Sequence, residues 1–161
     1  MQGIAPDGGL YTPEDFARMD LDELQGADAC TLSARVLSAL LDGFSVEKTQ
    51  ALVREGYAGK FDAPDLTPLV KVGDAYVLEL FRGPTSAFKD VALSLLPRLM
   101  AASREMTGEK ARIAVLTATS GDTGKAALEG FCDAPGTNII VFYPQDGVSD
   151  VQKAQMRTQR G

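Results

Sequence analysis

The chain has 161 residues, of which 45 % are apolar, which is enough for one ordinary domain or for part of a larger protein. Its net charge of −6 argues against a nucleic-acid-binding surface, and no apolar stretch reaches the roughly 18 residues of a membrane span. The absence of histidine excludes Ser-His and Cys-His catalysis and His-ligated metal sites within this chain.

Two features of the sequence bear on its compartment. The N-terminus is acidic and rich in turn residues, which is unlike a signal peptide. The two cysteines, Cys30 and Cys132, do not form a CxxC motif, so a disulfide framework is not expected. Both features favour a reducing cytoplasm.

Residues 1–62 are predicted to form a helical section. A turn signal, PDGG, is followed by two patterns with helical spacing, TLSARVLSALLDG at 31–43 and SVEKTQALVREGYAG at 45–59. Gly43 is expected to end the first helix, and Ser45 is expected to cap the second.

In residues 63–161, short apolar strands alternate with helices. The first helix of this part covers 85–103, where Pro97 should kink or end it. The alternation predicts part of a parallel α/β sheet with right-handed crossovers, which binds ligands at the carboxyl ends of its strands. The loops FRGPTSAFKD, TATSGDTGK and YPQDGVSD are therefore expected to gather at one edge. The predicted strands are 76–81, 112–118 and 137–143, and Ser149 is expected to cap the helix that follows the last of them.

The loop TATSGDTGK follows a predicted strand and opens a helix. Gly121 and Gly124 allow the backbone to approach a ligand, and the N–H groups of a helix start favour an anion. A carboxylate would repel an anion, so Asp122 is better suited to capping the helix or to meeting a cation or a ligand hydroxyl. Hydroxyl donors are available from Thr119, Ser120 and Thr123.

The loop has two other interpretations. A nucleotide phosphate loop requires glycine at position 119 and Ser or Thr at position 126, but the chain has Thr119 and Ala126 there. That interpretation is therefore poor. A capped helix start with no ligand stays open as the alternative.

Lys89 is predicted in the first turn of the helix that follows FRGPTSAF. It shares a helix edge with Ala92 and Leu96, which would place it at the border of the buried face. Partial burial and the helix dipole both disfavour its positive charge, and a neutral lysine amine is a nucleophile suited to a Schiff base. The alternative is a lysine whose stem lies on apolar surface while its amine stays in water.

Four segments together resemble the threonine synthase family of pyridoxal-phosphate enzymes. The resemblance covers nearly the whole chain, and its FKD and SGDTG elements are specific in combination. The segments are GIAPDGGLY, LELFRGPTSAFKDVALSLLPRL, VLTATSGDTGKAALEGF and IIVFYPQDGVSDVQKAQM.

The resemblance implies the tryptophan-synthase-β-like α/β fold and the conversion of O-phospho-L-homoserine and water to L-threonine and phosphate. It also implies that Lys89 forms the Schiff base with pyridoxal 5′-phosphate and moves protons at the substrate carbons. Asp122 would lie near the pyridine hydroxyl of the cofactor. The loop beside the substrate carboxylate would consist of Thr119, Ser120, Gly121, Thr123 and Gly124.

The chain also departs from the family. Members usually carry histidine where this chain has Arg82, and the resemblance leaves open whether that cation alters proton handling or helps to hold phosphate. Family chains continue further and hold the loop for the cofactor phosphate in that later part. The chain is therefore interpreted as an N-terminal portion, from a truncated product or a split gene, with poor activity alone and exposed apolar surface where the rest would dock.

Two alternatives to threonine synthase stay open. One is a related pyridoxal-phosphate enzyme, such as a threonine dehydratase or a β-replacement enzyme. The other is a catalytically silent fragment that needs a partner chain. The sequence leaves the oligomeric state open.

Overall fold

The structure, a computed structural model, describes residues 4–161, so Gly3 of the GIAPDGGLY segment lies outside it. The chain divides into two compact units, one ending at Arg54 and one running from Glu55 to Gly161. None of the helices in the described part is long and apolar enough to cross a membrane. The domain boundary after residue 62 stays a prediction.

The helices of the first unit begin at side chains that cap them. Asp28 accepts a hydrogen bond from the Thr31 amide at 2.9 Å, and Ser45 Oγ accepts one from the Lys48 amide at 3.2 Å. The predicted cap at Ser45 is therefore confirmed, whereas the preceding helix ends three residues before Gly43. The helices are α1 (Leu21–Leu24), α2 (Ala29–Leu40) and α3 (Val46–Tyr57), the last continuing past the unit boundary.

The second unit begins with an antiparallel hairpin. Strand β1 (Leu69–Val72) pairs with β2 (Ala75–Leu78) through a two-residue turn in which Gly73 has φ of +60°. The prediction that 76–81 is the first strand of the parallel sheet is wrong, because β2 belongs to this separate sheet. The physical reason is the Gly-Asp pair after Val72, since Gly readily adopts the positive φ that a tight hairpin needs.

A parallel pair of strands carries the loops of interest. Strands β3 (Ile113–Ala118) and β4 (Thr137–Phe142) pair in parallel, which confirms the last two predicted strands. Helix α6 (Asp122–Phe131) joins them as a crossover and packs on the sheet with its buried Ala126 and Ala127. The side chains alternate between a half-buried face and an exposed face. The carboxyl ends of both strands thus open onto the same edge.

The segment predicted as a helix over 85–103, kinked or ended at Pro97, forms two helices whose break lies before Pro97. Helix α4 (Asp90–Leu93) has four residues, and α5 (Leu96–Thr107) follows after a break. Pro97 lies in the first turn of α5, where its missing N–H costs no helical hydrogen bond. Proline therefore starts a helix here rather than kinking one.

The last helix, α7 (Asp150–Arg157), follows the loop after β4. Ser149 caps it, as predicted, and Gln152 completes a reciprocal capping box with the Ser149 backbone. The loops that lead into α6 and α7 therefore both have well-defined helix starts.

Candidate functional site

Lys89 lies directly before α4. Its side chain is half-buried, and its Nζ is 5.0 Å from the centroid of the neighbouring Phe88 ring. Ala92 and Leu96 are exposed, so the predicted burial of that helix edge is wrong for this chain. A four-residue helix also supplies fewer aligned peptides than the predicted long helix, which weakens the dipole argument. What holds is a half-buried lysine at the start of a helix.

The loop between β3 and α6 is closed by Thr119. Its Oγ1 accepts hydrogen bonds from the amides of Gly121 at 3.1 Å and Gly124 at 3.3 Å, and its own amide donates to the Phe142 carbonyl at 2.9 Å. Thr119 therefore ties the loop together and to the end of β4. Since the first N–H groups of an α-helix have no partner inside the helix, those of Asp122 and Thr123 can donate to an anionic group.

Asp122 meets a cation and an amide within the protein. Gln152 Nε2 donates to Asp122 Oδ1 at 2.8 Å, and Lys125 Nζ lies 3.4 Å from the same oxygen. The Gln152 hydrogen bond, aided by the Lys125 charge, lowers the pKa of Asp122 below the ordinary 3.8. Asp122 is therefore an anion that is held in place from α6 and from α7.

This network predicts a pH-dependent contribution to stability. A carboxyl with a lowered pKa stabilises the folded state fully above the unfolded pKa, and the contribution is lost as the pH falls through the folded pKa. We expect Gln152→Leu to lower the free energy of unfolding more near neutral pH than below about pH 4. Urea unfolding at several pH values measures this. In an Asp122→Asn background, the pH-dependent part of the Gln152→Leu effect should vanish.

The two glycines of the loop are buried against protein groups. A Cβ at Gly121 would lie 2.6 Å from Gln152 Nε2. A Cβ at Gly124 would lie 2.4 Å from Thr119 Cγ2 and 2.9 Å from Val141 Cγ1. Both glycines thus allow close packing at the start of α6, a role that the sequence did not predict. Their predicted approach to a ligand stays a prediction.

Gly124→Ala is expected to destabilise the second unit. The added methyl group must displace Thr119 and Val141, and overpacking of this kind costs about 1–3 kcal/mol. Urea unfolding followed by circular dichroism measures the loss. Ser120→Ala in the same loop is the matched control, because Ser120 is exposed and its substitution should change the free energy of unfolding little. Equal stability of the two variants would contradict the packing role.

The loop that carries Lys89 shares a cavity with α6. Pro84 and Thr85 line a cavity of about 390 Å³ together with Lys125, and α4 packs against α6. The Lys125 side chain is only 10 % exposed. The structure thus brings the FRGPTSAFKD and TATSGDTGK loops together, and Gln152 brings the start of α7 to the second of them. These contacts support the predicted gathering of the three loops, and the first loop follows the hairpin rather than a third parallel strand.

Arg82 is engaged by acidic neighbours. Its Nε and Nη2 donate to Glu79 Oε2 at 2.7 and 2.5 Å, and its Nη1 lies 3.6 Å from Asp62 Oδ2. The Glu79 hydrogen bond raises the pKa of the guanidinium. Two carboxylates compensate this charge, which favours a role in anchoring the end of the hairpin over a role in holding phosphate.

Two side chains of this network were missed from the sequence. Lys125 stands at the lysine position of the phosphate-loop pattern that Thr119 and Ala126 break, and that pattern does not indicate a contact with Asp122. Its spacing of three from Asp122 on a helix is the signal that could have found the pair. The sequence indicates Gln152 only as the residue that can form a capping box with Ser149. Nothing in the sequence indicates its hydrogen bond to Asp122.

Comparison with solved structures first identifies the fold. A crystal structure of pyridoxal-phosphate-bound threonine synthase from Brucella melitensis superposes with a TM-score of 0.85 at 39 % identity, covering 96 % of this chain and 34 % of that one. The α/β fold class is therefore confirmed.

Sequence comparison then identifies the proteins that the chain resembles. The threonine synthase of Pseudomonas aeruginosa is 40 % identical over 98 % of this chain, and that of Methylobacillus glycogenes is 37 % identical over 96 %. The resemblance to threonine synthases is confirmed. The chain spans about a third of the length of these relatives, 34 % of each. No family model matches the chain.

Proposed function

We propose that the chain is the N-terminal portion of a threonine synthase, which converts O-phospho-L-homoserine and water to L-threonine and phosphate with pyridoxal 5′-phosphate. The observation that carries the proposal is the half-buried Lys89 on a loop that shares a cavity with Lys125 of α6. The similarity to threonine synthases over nearly the whole chain supports it. The cytoplasm stays the predicted compartment.

The residues present fit one end of this cofactor. The half-buried Lys89 supplies a primary amine, the group that condenses with an aldehyde, and the aromatic ring of Phe88 lies beside that amine. The start of α6 supplies helix N–H groups and hydroxyls, which suit an anionic group such as a carboxylate. When bound, pyridoxal phosphate supplies the aldehyde and an electron sink for carbanions at the substrate carbons.

Each residue then has a proposed role. Lys89 Nζ would hold the cofactor and would move protons at the substrate carbons. Asp122, held in place by Gln152 and Lys125, would lie near the cofactor hydroxyl. The substrate carboxylate is held by the loop of Thr119, Ser120, Gly121, Thr123 and Gly124.

A second candidate function is favoured by a specific observation. The exposed face of the β3–β4 sheet is apolar, with Leu116, Ile140 and Phe142 at 66 %, 50 % and 58 % exposure. Parallel sheets are normally covered on both faces. This favours a fragment that is silent alone and becomes active only with a partner chain that covers this face. The alternative of a lone active enzyme has no comparable support in the described residues.

The experiment combines this chain with the remaining two thirds of the Pseudomonas aeruginosa relative, expressed as a separate chain. Phosphate release from O-phosphohomoserine is measured against ammonia release from threonine. Phosphate release by the mixture, and little by either chain alone, is the expected result. Ammonia release without phosphate release would indicate a threonine dehydratase instead. No turnover, and no cofactor bound to Lys89 in the mixture, would contradict the proposal.

A further inference from the structure

Asp90, the residue after Lys89, is buried although it carries a charge. It is 1 % exposed, and burial of a carboxylate is costly unless hydrogen bonds satisfy it. Its Oδ2 accepts from the amides of Thr85 at 2.8 Å and Ala87 at 3.4 Å, and its Oδ1 accepts from the Thr85 hydroxyl at 2.6 Å. All three donors belong to the loop that precedes Lys89. The carboxylate therefore closes this loop on itself.

The loop leaves no space for a different arrangement. A Cβ at Gly83 would lie 2.5 Å from Asp90 Cβ and 2.6 Å from Asp90 Oδ2, so only glycine fits there. Ser86 has φ of +57°, in the left-handed region that residues other than glycine rarely adopt. Such a backbone persists only where its surroundings determine it. Here the hydrogen bonds of Asp90 to Thr85 and Ala87 flank Ser86 on both sides.

The same contacts hold the backbone at Lys89. The Asp90 amide donates to the Ala87 carbonyl at 3.0 Å, and the Lys89 carbonyl accepts from the Leu93 amide at 2.9 Å. The backbone on either side of Lys89 is thereby fixed, while its side chain stays half-buried beside Phe88. The Asp90 carboxylate therefore fixes the backbone position from which the Lys89 side chain extends.

We propose that Asp90 is a positioning residue that holds the 83–89 loop in the shape that directs the Lys89 amine to the cofactor. This role rests on the proposed function. It is a positioning role rather than a catalytic one, because both carboxylate oxygens face Thr85 and Ala87. Gly83 makes the space that the carboxylate occupies.

The test compares Asp90→Asn and Asp90→Ala in the full 161-residue chain. Asparagine can accept from both amides through its oxygen and donate to the Thr85 hydroxyl, whereas alanine loses all three bonds. Two measurements need no cofactor: hydrogen exchange of residues 85–87, and reductive methylation of Lys89 relative to the exposed Lys110, by peptide mapping. A third is the fraction of Lys89 that borohydride fixes to added pyridoxal phosphate.

We expect Asp90→Ala to speed exchange at 85–87, to change the methylation ratio and to lower the fixed fraction about tenfold to a hundredfold. Asp90→Asn should restore most of each. Phe131→Leu, in the buried part of α6, is the control for general destabilisation and should leave the methylation ratio unchanged. If Asp90→Ala does not fold, Thr85→Val removes only the hydroxyl bond and should give a smaller change in the same direction.

The outcomes separate this inference from the proposed function. If the native chain forms no adduct even with the rest of the enzyme supplied, the proposed function fails, while exchange and methylation still report on Asp90. Unchanged exchange and methylation in Asp90→Ala, or the same changes in Phe131→Leu, would overturn the positioning role. So would an Asp90→Asn variant as impaired as Asp90→Ala.

Discussion

Lys89→Ala is expected to abolish the adduct that borohydride fixes between pyridoxal phosphate and this chain. The variant removes the half-buried amine that the proposed function assigns to the cofactor, and leaves the loop contacts of Asp90 in place. In the mixture with the rest of a threonine synthase, phosphate release should fall at least about a hundredfold, because the proton-transfer group is lost with the amine. Peptide mapping of the reduced protein and a phosphate assay measure the two effects.

The matched control is Lys110→Ala, which removes an exposed lysine of the same unit. It should leave both the adduct on Lys89 and the phosphate release unchanged. If borohydride fixed pyridoxal phosphate evenly to the exposed lysines of the native chain, the aldehyde would be reacting with surface amines and not at a binding site. Full turnover in Lys89→Ala would contradict the assignment of the amine.

The sequence predicted the parts of the fold whose signals are local. Strands β3 and β4 are short apolar runs that end in polar loops, and Ser45 and Ser149 cap helices where the pattern placed them. Strand β2 was assigned to the wrong sheet because a short apolar run has the same sequence pattern in a hairpin and in a parallel sheet. The strand with which it pairs, β1, determines the sheet to which it belongs. The interruption predicted at Pro97 lies before that residue, between α4 and α5, because proline fits the first turn of a new helix and the apolar spacing continues across the break.

The candidate site was predictable to the level of loops but not of contacts. The pattern of strand, glycine loop and helix indicated the SGDTG segment. The predicted helix start after FRGPTSAF indicated Lys89. The partners of these residues come from other elements. Gln152 reaches Asp122 from thirty residues away, and the contacts of Asp90 depend on the left-handed turn at Ser86. Such contacts follow from tertiary packing, which a one-dimensional pattern does not contain.

Leu116→Asn is expected to weaken binding of this chain to the remaining two thirds of the Pseudomonas aeruginosa relative. Leu116 is 66 % exposed on the open face of the β3–β4 sheet, beside Ile140 and Phe142. Covering a leucine contributes about 1.5–3 kcal/mol, so the dissociation constant should rise about tenfold to a hundredfold. The stability of the isolated chain should change little, because the side chain is already in water there. Isothermal titration calorimetry and urea unfolding measure the two quantities.

The control is Met106→Gln, which alters an apolar side chain of similar exposure, 55 %, on helix α5. It separates loss of a docking face from a general gain in polarity, since both variants replace an apolar group by an amide. Equal affinity of the two variants would mean that the sheet face is not where the rest of the enzyme binds. A loss of affinity in Leu116→Asn alone would connect the need for a partner chain with the proposed site. The open sheet face and the loops that carry Lys89 and Asp122 belong to one unit, so covering the sheet completes the structure around the site.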